Sequence, residues 1–197
     1  MNQPINKVKE LRHRTSAGVL NCKQALEEAN GDIDKAIEVL RKKGITKAAK
    51  KAERTTSAGL VDAYIHPGER LGVLIEVNVE TDFVARNQEF RRFVRDLSLQ
   101  VAAADPVAID RDGVPVEIIE REKRIYKEQV SQSGKPARIA EKIIQGKLEK
   151  FYADVCLLEQ PFVKTPGKTV GDYLKEQIAK FGENIRIKRF VRFKVGE

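Results

Sequence analysis

The chain contains no tryptophan, two cysteines and two histidines in 197 residues. Cys22 and Cys156 are too few for a disulfide framework, and adding His13 and His66 does not make a tetrahedral zinc site. Such sparse cysteine use fits a reducing compartment. No apolar run approaches the roughly 20 residues that span a bilayer. The opening stretch MNQPINKVKELRHRT has no apolar signal region, so a cytosolic (cytoplasmic) protein with no membrane role is expected. Phosphate-cradling patterns such as GxxxxGK[ST] and GxGxxG are missing, as is the nucleophile pattern GxSxG. Neither nucleotide hydrolysis nor any other enzymatic chemistry is expected, and no cofactor or metal is implied.

What the chain does have is charge. It carries 37 Lys and Arg against 29 Asp and Glu, a formal net charge of +8, and its pI is near 9.4. An anionic partner follows, whether nucleic acid, a membrane surface or an acidic protein face. The basic residues are interleaved with acids and aromatics are sparse, which weighs against RNA as the main partner.

Hydrophobic periodicity divides the chain into a helical head and a mixed body. Ile5, Val8 and Leu11 form a helical stripe, with Pro4 in the first turn, that stops near Thr15-Ser16-Ala17-Gly18. Asn21 with Gln24 reads as the start of a second helix, carried by Leu26 and Ala29 to a left-handed Gly31. Asp32 caps a third, through Ala36, Ile37 and Leu40 to Gly44. Residues 1–44 therefore predict a compact three-helix bundle. The basic, alanine-rich stretch 45–57 has no broad apolar stripe and reads as an exposed helix or linker.

The body, 58–197, opens with a hairpin. β-forming residues at 59–65 precede His66-Pro67-Gly68-Glu69, whose Pro and Gly suit a type II turn, and 71–79 then alternate with Leu71, Val73, Ile75, Val77 and Val79 on one face. At Thr81 the period changes to 3.6, with Thr81 as cap and Phe90, Val94, Leu97 and Val101 inward. Helices follow near 116–131 and from Pro136 to about 154, then a non-helical passage LLEQPFVKTPGK and a helix ending at Gly182. Residues 185–195 alternate again, Ile185, Ile187, Val191, Phe193 and Val195 against Arg186, Lys188, Arg192 and Lys194. The expected fold class is α+β, with about three antiparallel strands packed with several helices.

Isolated reactive residues have ordinary explanations. His66 lies in a turn, and Cys22 and Cys156 occupy apolar positions that suggest buried, inert thiols. The junction Glu80-Thr81-Asp82-Phe83-Val84-Ala85-Arg86-Asn87 is different, because two accounts compete. Either Phe83 is one more core position, or a rigid corner presents Phe83 outward as a wedge with Asp82 beside it.

The string TDFVAR at 81–86, following LIEVNVE, resembles the signature of the elongation factor Ts family. The segment LRHRTSAGVLNCKQALEEANGDIDKAIEVLRKKG at 11–44 is similar to that family's ubiquitin-associated-like bundle, and KAAKKA at 47–52 to its basic linker. The segments from IAEKIIQGKLEKFYADVCLLEQPFVK through KTVGDYLKE to GENIRIKRFVRF resemble its core and C-terminal parts. The resemblance implies a guanine-nucleotide exchange factor that binds elongation factor Tu, displaces Mg2+ and releases GDP. It implies partner-binding roles for Thr81, Asp82, Phe83 and Val84, and for Arg12, Val19, Leu20, Lys23 and Lys51 in the bundle and linker. Where the family often has GAGMMDCK, this chain has Ser16-Ala17-Gly18-Val19-Leu20-Asn21-Cys22-Lys23. Long members carry extra core material, including a helical hairpin for which this chain is too short; pairing of two chains is expected to replace it. Val191 stands where a cysteine would be needed to bridge two subunits, so the homodimer would be non-covalent there. A different class of function, a basic RNA-binding or ribosome-associated protein, is motivated by the linker and by Arg186, Lys188, Arg189, Arg192 and Lys194. No direct nucleic-acid role is expected.

Overall fold

The computed structural model describes residues 5–15, 17–132 and 136–197; the positions assigned above to Pro4 and Ser16 lie outside them. Among the described residues the order is α1 (Ile5–Thr15), α2 (Val19–Glu28), α3 (Ile33–Lys51), β1 (Ala58–Ile65), β2 (Leu71–Val79), α4 (Asp82–Ala85), α5 (Gln88–Ala104), α6 (Val116–Ser131), α7 (Ala137–Val155), α8 (Val170–Phe181) and β3 (Ile185–Lys194). The fold is α+β, as expected, with one three-stranded antiparallel sheet in the order β1-β2-β3. The chain forms two compact units. One takes the chain through Leu60 with Val77–Arg91 and Asp172–Arg186; the other takes Val61–Glu76, Arg92–Gly171 and Ile187–Glu197.

In the first unit α1, α2 and α3 close around Leu11, Cys22, Ala25, Leu26, Ala29 and Ala36. Small residues on the facing helices allow close approach, and each buried leucine contributes about 1.5–3 kcal/mol. Some boundaries differ from the periodicity. Gly18, not Asn21, is the N-cap of α2, and its carbonyl accepts the Cys22 N–H at 3.0 Å. Helix α3 does not stop at Gly44 but runs on to Lys51. One interior glycine costs only about 1 kcal/mol, and the lysines and alanines beyond it are strong helix formers. The left-handed residue that ends α2 is Asn30, with φ 50°, rather than Gly31; Gly31, φ 79°, follows it and donates its N–H to Leu26 O at 2.7 Å.

The hairpin forms as its turn residues dictate. Glu69 N–H donates to His66 O at 2.9 Å, and Gly68 supplies the positive φ of 90° that a type II turn needs. Val73, Ile75, Val77 and Val79 are buried. Gly59, φ 154°, lies so close to its neighbouring strand that an added Cβ would sit 2.4 Å from the Val77 carbonyl oxygen. Gly59→Ala should therefore lower stability by about 2–4 kcal/mol, from backbone strain plus overpacking. Chemical denaturation checks this, with an unchanged midpoint as the contrary result.

In the second unit α6 and α7 pair as a helical hairpin. They border a small core of Ala108, Val114 and Cys156. The non-helical passage after α7 is held by two buried glutamines. Gln100 Nε2 donates to Gln160 Oε1 and Pro161 O, Gln100 Oε1 accepts from Val163 N–H, and Gln160 Nε2 donates to Asp154 O and Ala104 O.

β3 departs from simple alternation of burial. Ile185 and Ile187 are buried, but beyond Lys188 the sheltered positions are Phe190 and Arg192, and Val191 and Phe193 are exposed. Arg192 is not on a solvated face. Only 12% of its side chain is accessible, and it pairs with Asp105 at 3.3 Å and Glu197 at 2.9 Å.

Candidate functional site

The corner between β2 and α5 is built from a single helical turn. Thr81 is its N-cap, with extended backbone (φ −129°, ψ 152°), and its Oγ1 accepts the Val84 N–H at 3.5 Å. Four residues make little more than one turn, so two point inward and two outward. Val84 and Ala85 are buried; Asp82 and Phe83 face solvent. Thr81 caps this short turn rather than the long helix. After Arg86 the chain breaks, and α5 restarts when Asn87 Oδ1 accepts the Glu89 N–H at 2.8 Å.

Phe83 is 84% exposed. Leaving an aromatic ring in water forgoes about 1.5–3 kcal/mol of burial, a sacrifice with no return inside the monomer. An open depression lined by Asp82, Phe83, Arg86, Asn87 and Gln88 surrounds it. The Asp82 carboxylate lies 4.0 Å from Arg86, with both side chains largely exposed, so the pair is weak and the carboxylate is available to a partner.

Two residues that periodicity did not single out hold this corner. Glu183 accepts the Thr81 N–H at 3.0 Å and the Thr81 hydroxyl at 2.7 Å. Asn184 N–H donates to Glu80 at 2.6 Å, and its side-chain amide donates to Arg54 O at 2.8 Å and Ala52 O at 3.3 Å. These contacts link segments more than 100 residues apart, so spacing could not reveal them; the one local signal is the glycine before Glu183 that ends α8.

The other candidates lie on the helices of the bundle. Val19 and Leu20, 54% and 69% exposed, sit on the first turn of α2, whose buried residues are Cys22, Ala25 and Leu26. Arg12 and Lys23 are exposed nearby in sequence. Lys51 is engaged within the molecule, its ammonium donating to the Gly182 carbonyl.

Burial raises the Cys22 thiol pKa above its ordinary value and pushes that of Cys156 up to about 11. A raised pKa keeps a thiol protonated at neutral pH. Neither cysteine should react with a disulfide reagent in the native protein at pH 7, whereas two thiols should appear on unfolding; fast native labelling would contradict the burial. Among the described residues no cluster of His, Cys, Asp or Glu could hold a metal ion, and no helix is long and apolar enough to cross a membrane.

A family model described as Elongation factor TS matches residues 1–197. The chain is 59% identical over 190 residues to elongation factor Ts of Carboxydothermus hydrogenoformans, covering 96% of this chain and 88% of the relative. It is 58% identical to elongation factor Ts of Caldanaerobacter subterraneus subsp. tengcongensis, covering 96% and 95% of the two chains. Elongation factor Ts of Thermosipho melanesiensis is 57% identical, with 96% and 97% covered.

Proposed function

This chain belongs to the elongation factor Ts family of translation elongation factors, and we propose that it promotes GDP release from elongation factor Tu by wedging Phe83 into the GTPase beside its Mg2+ site. The observation that carries this is the exposed Phe83 ring on a corner whose neighbours Val84 and Ala85 are anchored in the core. Asp82 supplies the polar contact, Thr81 and Val84 shape the turn, and the Val19–Leu20 patch with Arg12 and Lys23 docks the bundle. Lys51 contributes by fixing the end of α3. Loss of Mg2+ coordination weakens the hold on the diphosphate without breaking a bond. One ring cannot do this alone. Moving an equilibrium from 1:99 to 99:1 needs about 5.5 kcal/mol of differential binding, so several contacts must favour the nucleotide-free GTPase. Reciprocity lets incoming nucleotide release the factor.

The factor acts in the cytosol as a homodimer. Ile65 approaches within 3.0 Å of where a Gly72 Cβ would lie, and Arg189 pairs with Glu76 at 2.7 Å, which puts the odd positions of β1, and those of β3 beyond Lys188, on the same sheet face as the even positions of β2. That face exposes Val61, Ile65, Leu74, Val191 and Phe193, with Val195 just beyond. A second copy presenting the same face covers it, with no disulfide at Val191. We also propose that 1–44 is a bundle joined through 45–57 to a separately folding core, 58–197; removing residues 1–54 should weaken association with the GTPase and leave the core folded. A core that unfolds on truncation would contradict that division.

RNA binding is disfavoured because three of the five basic β3 residues that suggested it are paired with acids: Arg189 with Glu76, Arg192 with Asp105 and Glu197, and Lys194 with Glu197. The test of function is release of a fluorescent GDP analogue from purified elongation factor Tu. A large acceleration that persists at moderate salt is expected. No acceleration, together with salt-sensitive RNA binding, would favour the alternative.

A further inference from the structure

We propose that Glu183 is a positioning residue for the Phe83 wedge and that, through Asn184, the same turn locks the wedge corner to the end of the long helix α3. It rests on the exchange role proposed above.

The turn begins at Gly182, whose φ of 75° ends α8 with its N–H donating to Ile178 O at 3.0 Å. A left-handed residue here aims the next two side chains away from the helix. Glu183 then takes Thr81 at two points, backbone N–H and hydroxyl, with one carboxylate oxygen each. A two-point hold on the residue that also caps α4 removes rotation of the backbone entering Asp82 and Phe83. Asn184, only 2% exposed, is bonded on both sides: its N–H to Glu80 on the strand side, its amide to Ala52 and Arg54 after α3. The Glu80 carboxylate also lies 3.5 Å from Arg54, and Lys51 caps the Gly182 carbonyl. Three consecutive residues, 182–184, therefore tie the segment 51–54 and the corner 80–81 into one register. A wedge on a loose mount would spend binding energy on ordering itself; one held at its base does not.

The Glu183–Thr81 contact lies at the surface and adds little to global stability, so Glu183 rather than buried Asn184 carries the test. Release of a fluorescent GDP analogue from elongation factor Tu is followed against factor concentration for the full chain, Glu183→Ala, Glu183→Gln, Phe83→Ala and the Glu183→Ala/Phe83→Ala pair. Glu183→Ala should lower the limiting release rate roughly tenfold, the scale of one charge-assisted hydrogen bond, with the half-saturating concentration little changed. Glu183→Gln can still accept the Thr81 N–H and donate to its hydroxyl, and should recover most of the rate. Thermal midpoints should stay together, and Glu183→Ala should add nothing in the Phe83→Ala background. A slow Phe83→Ala with a fully active Glu183→Ala overturns the positioning role alone, as does independent multiplication of the two effects or a large fall in the Glu183→Ala midpoint. A fully active Phe83→Ala overturns the wedge assignment, and this inference with it.

Discussion

Phe83→Ala should slow factor-stimulated GDP release from elongation factor Tu by roughly ten- to a hundredfold, the equivalent of the 1.5–3 kcal/mol gained when a phenylalanine ring leaves water. The same substitution should leave the stability of the free factor nearly untouched. Both halves come from one fact: the ring is 84% exposed. A core aromatic truncated to alanine would cost about 3–5 kcal/mol of stability, whereas an exposed one has few contacts to lose. Asp82→Ala should act in the same direction and more weakly, because the charged residue it pairs with, Arg86, is 4.0 Å away and exposed. Chemical denaturation beside stopped-flow release separates the two possibilities. Normal release with a destabilised fold would mean that Phe83 is a structural residue.

The second large effect concerns the sheet. Phe193→Glu should convert the proposed homodimer to monomer at micromolar concentration. Phe193 is 67% exposed on a face shared with Val61, Ile65, Leu74 and Val191. In a two-fold interface each substitution counts twice, so two lost rings weaken pairing by about 3–6 kcal/mol, at least two orders of magnitude in the dimer dissociation constant. The new carboxylates oppose each other in addition. Sedimentation velocity reads the outcome: a dimer that becomes a folded monomer is expected, and an unchanged dimer would place the interface elsewhere. Val191→Asp should act alike. Arg189 on that face is already neutralised by Glu76 at 2.7 Å, so altering it should matter little.

Local patterns made most of the fold legible, because helix and strand periods, turn residues and caps are written within a few residues of one another. His66-Pro67-Gly68-Glu69 is such a case; its turn follows from the fixed φ of proline and the freedom of glycine. Gly44 does not end α3, because a glycine punctuates a helix only when the residues beyond it cannot carry the helix on, and Ala48 to Lys51 can. The alternation in 185–195 was visible, but which positions are covered depends on what packs over the strand, and that is tertiary information. Hence Arg192 is sheltered and Phe193 is bare. At the corner, Thr81, Asp82 and Phe83 could be singled out from the change of period and the resemblance to a family signature. Their exposure could not, since a phenylalanine seven residues before Phe90 fits a core stripe equally well. Glu183 and Asn184 were invisible, because hydrogen bonds across 102 and 104 residues leave no trace in spacing.

The most direct test is site-specific fluorophenylalanine at position 83, read by 19F NMR with a soluble paramagnetic relaxation agent. In the free factor the resonance should be strongly relaxed by the agent. On binding nucleotide-free elongation factor Tu it should shift and lose that sensitivity, and added GDP should restore it. A ring already shielded in the free factor, or one still open to the agent in the complex, would contradict insertion of Phe83 as the cause of exchange.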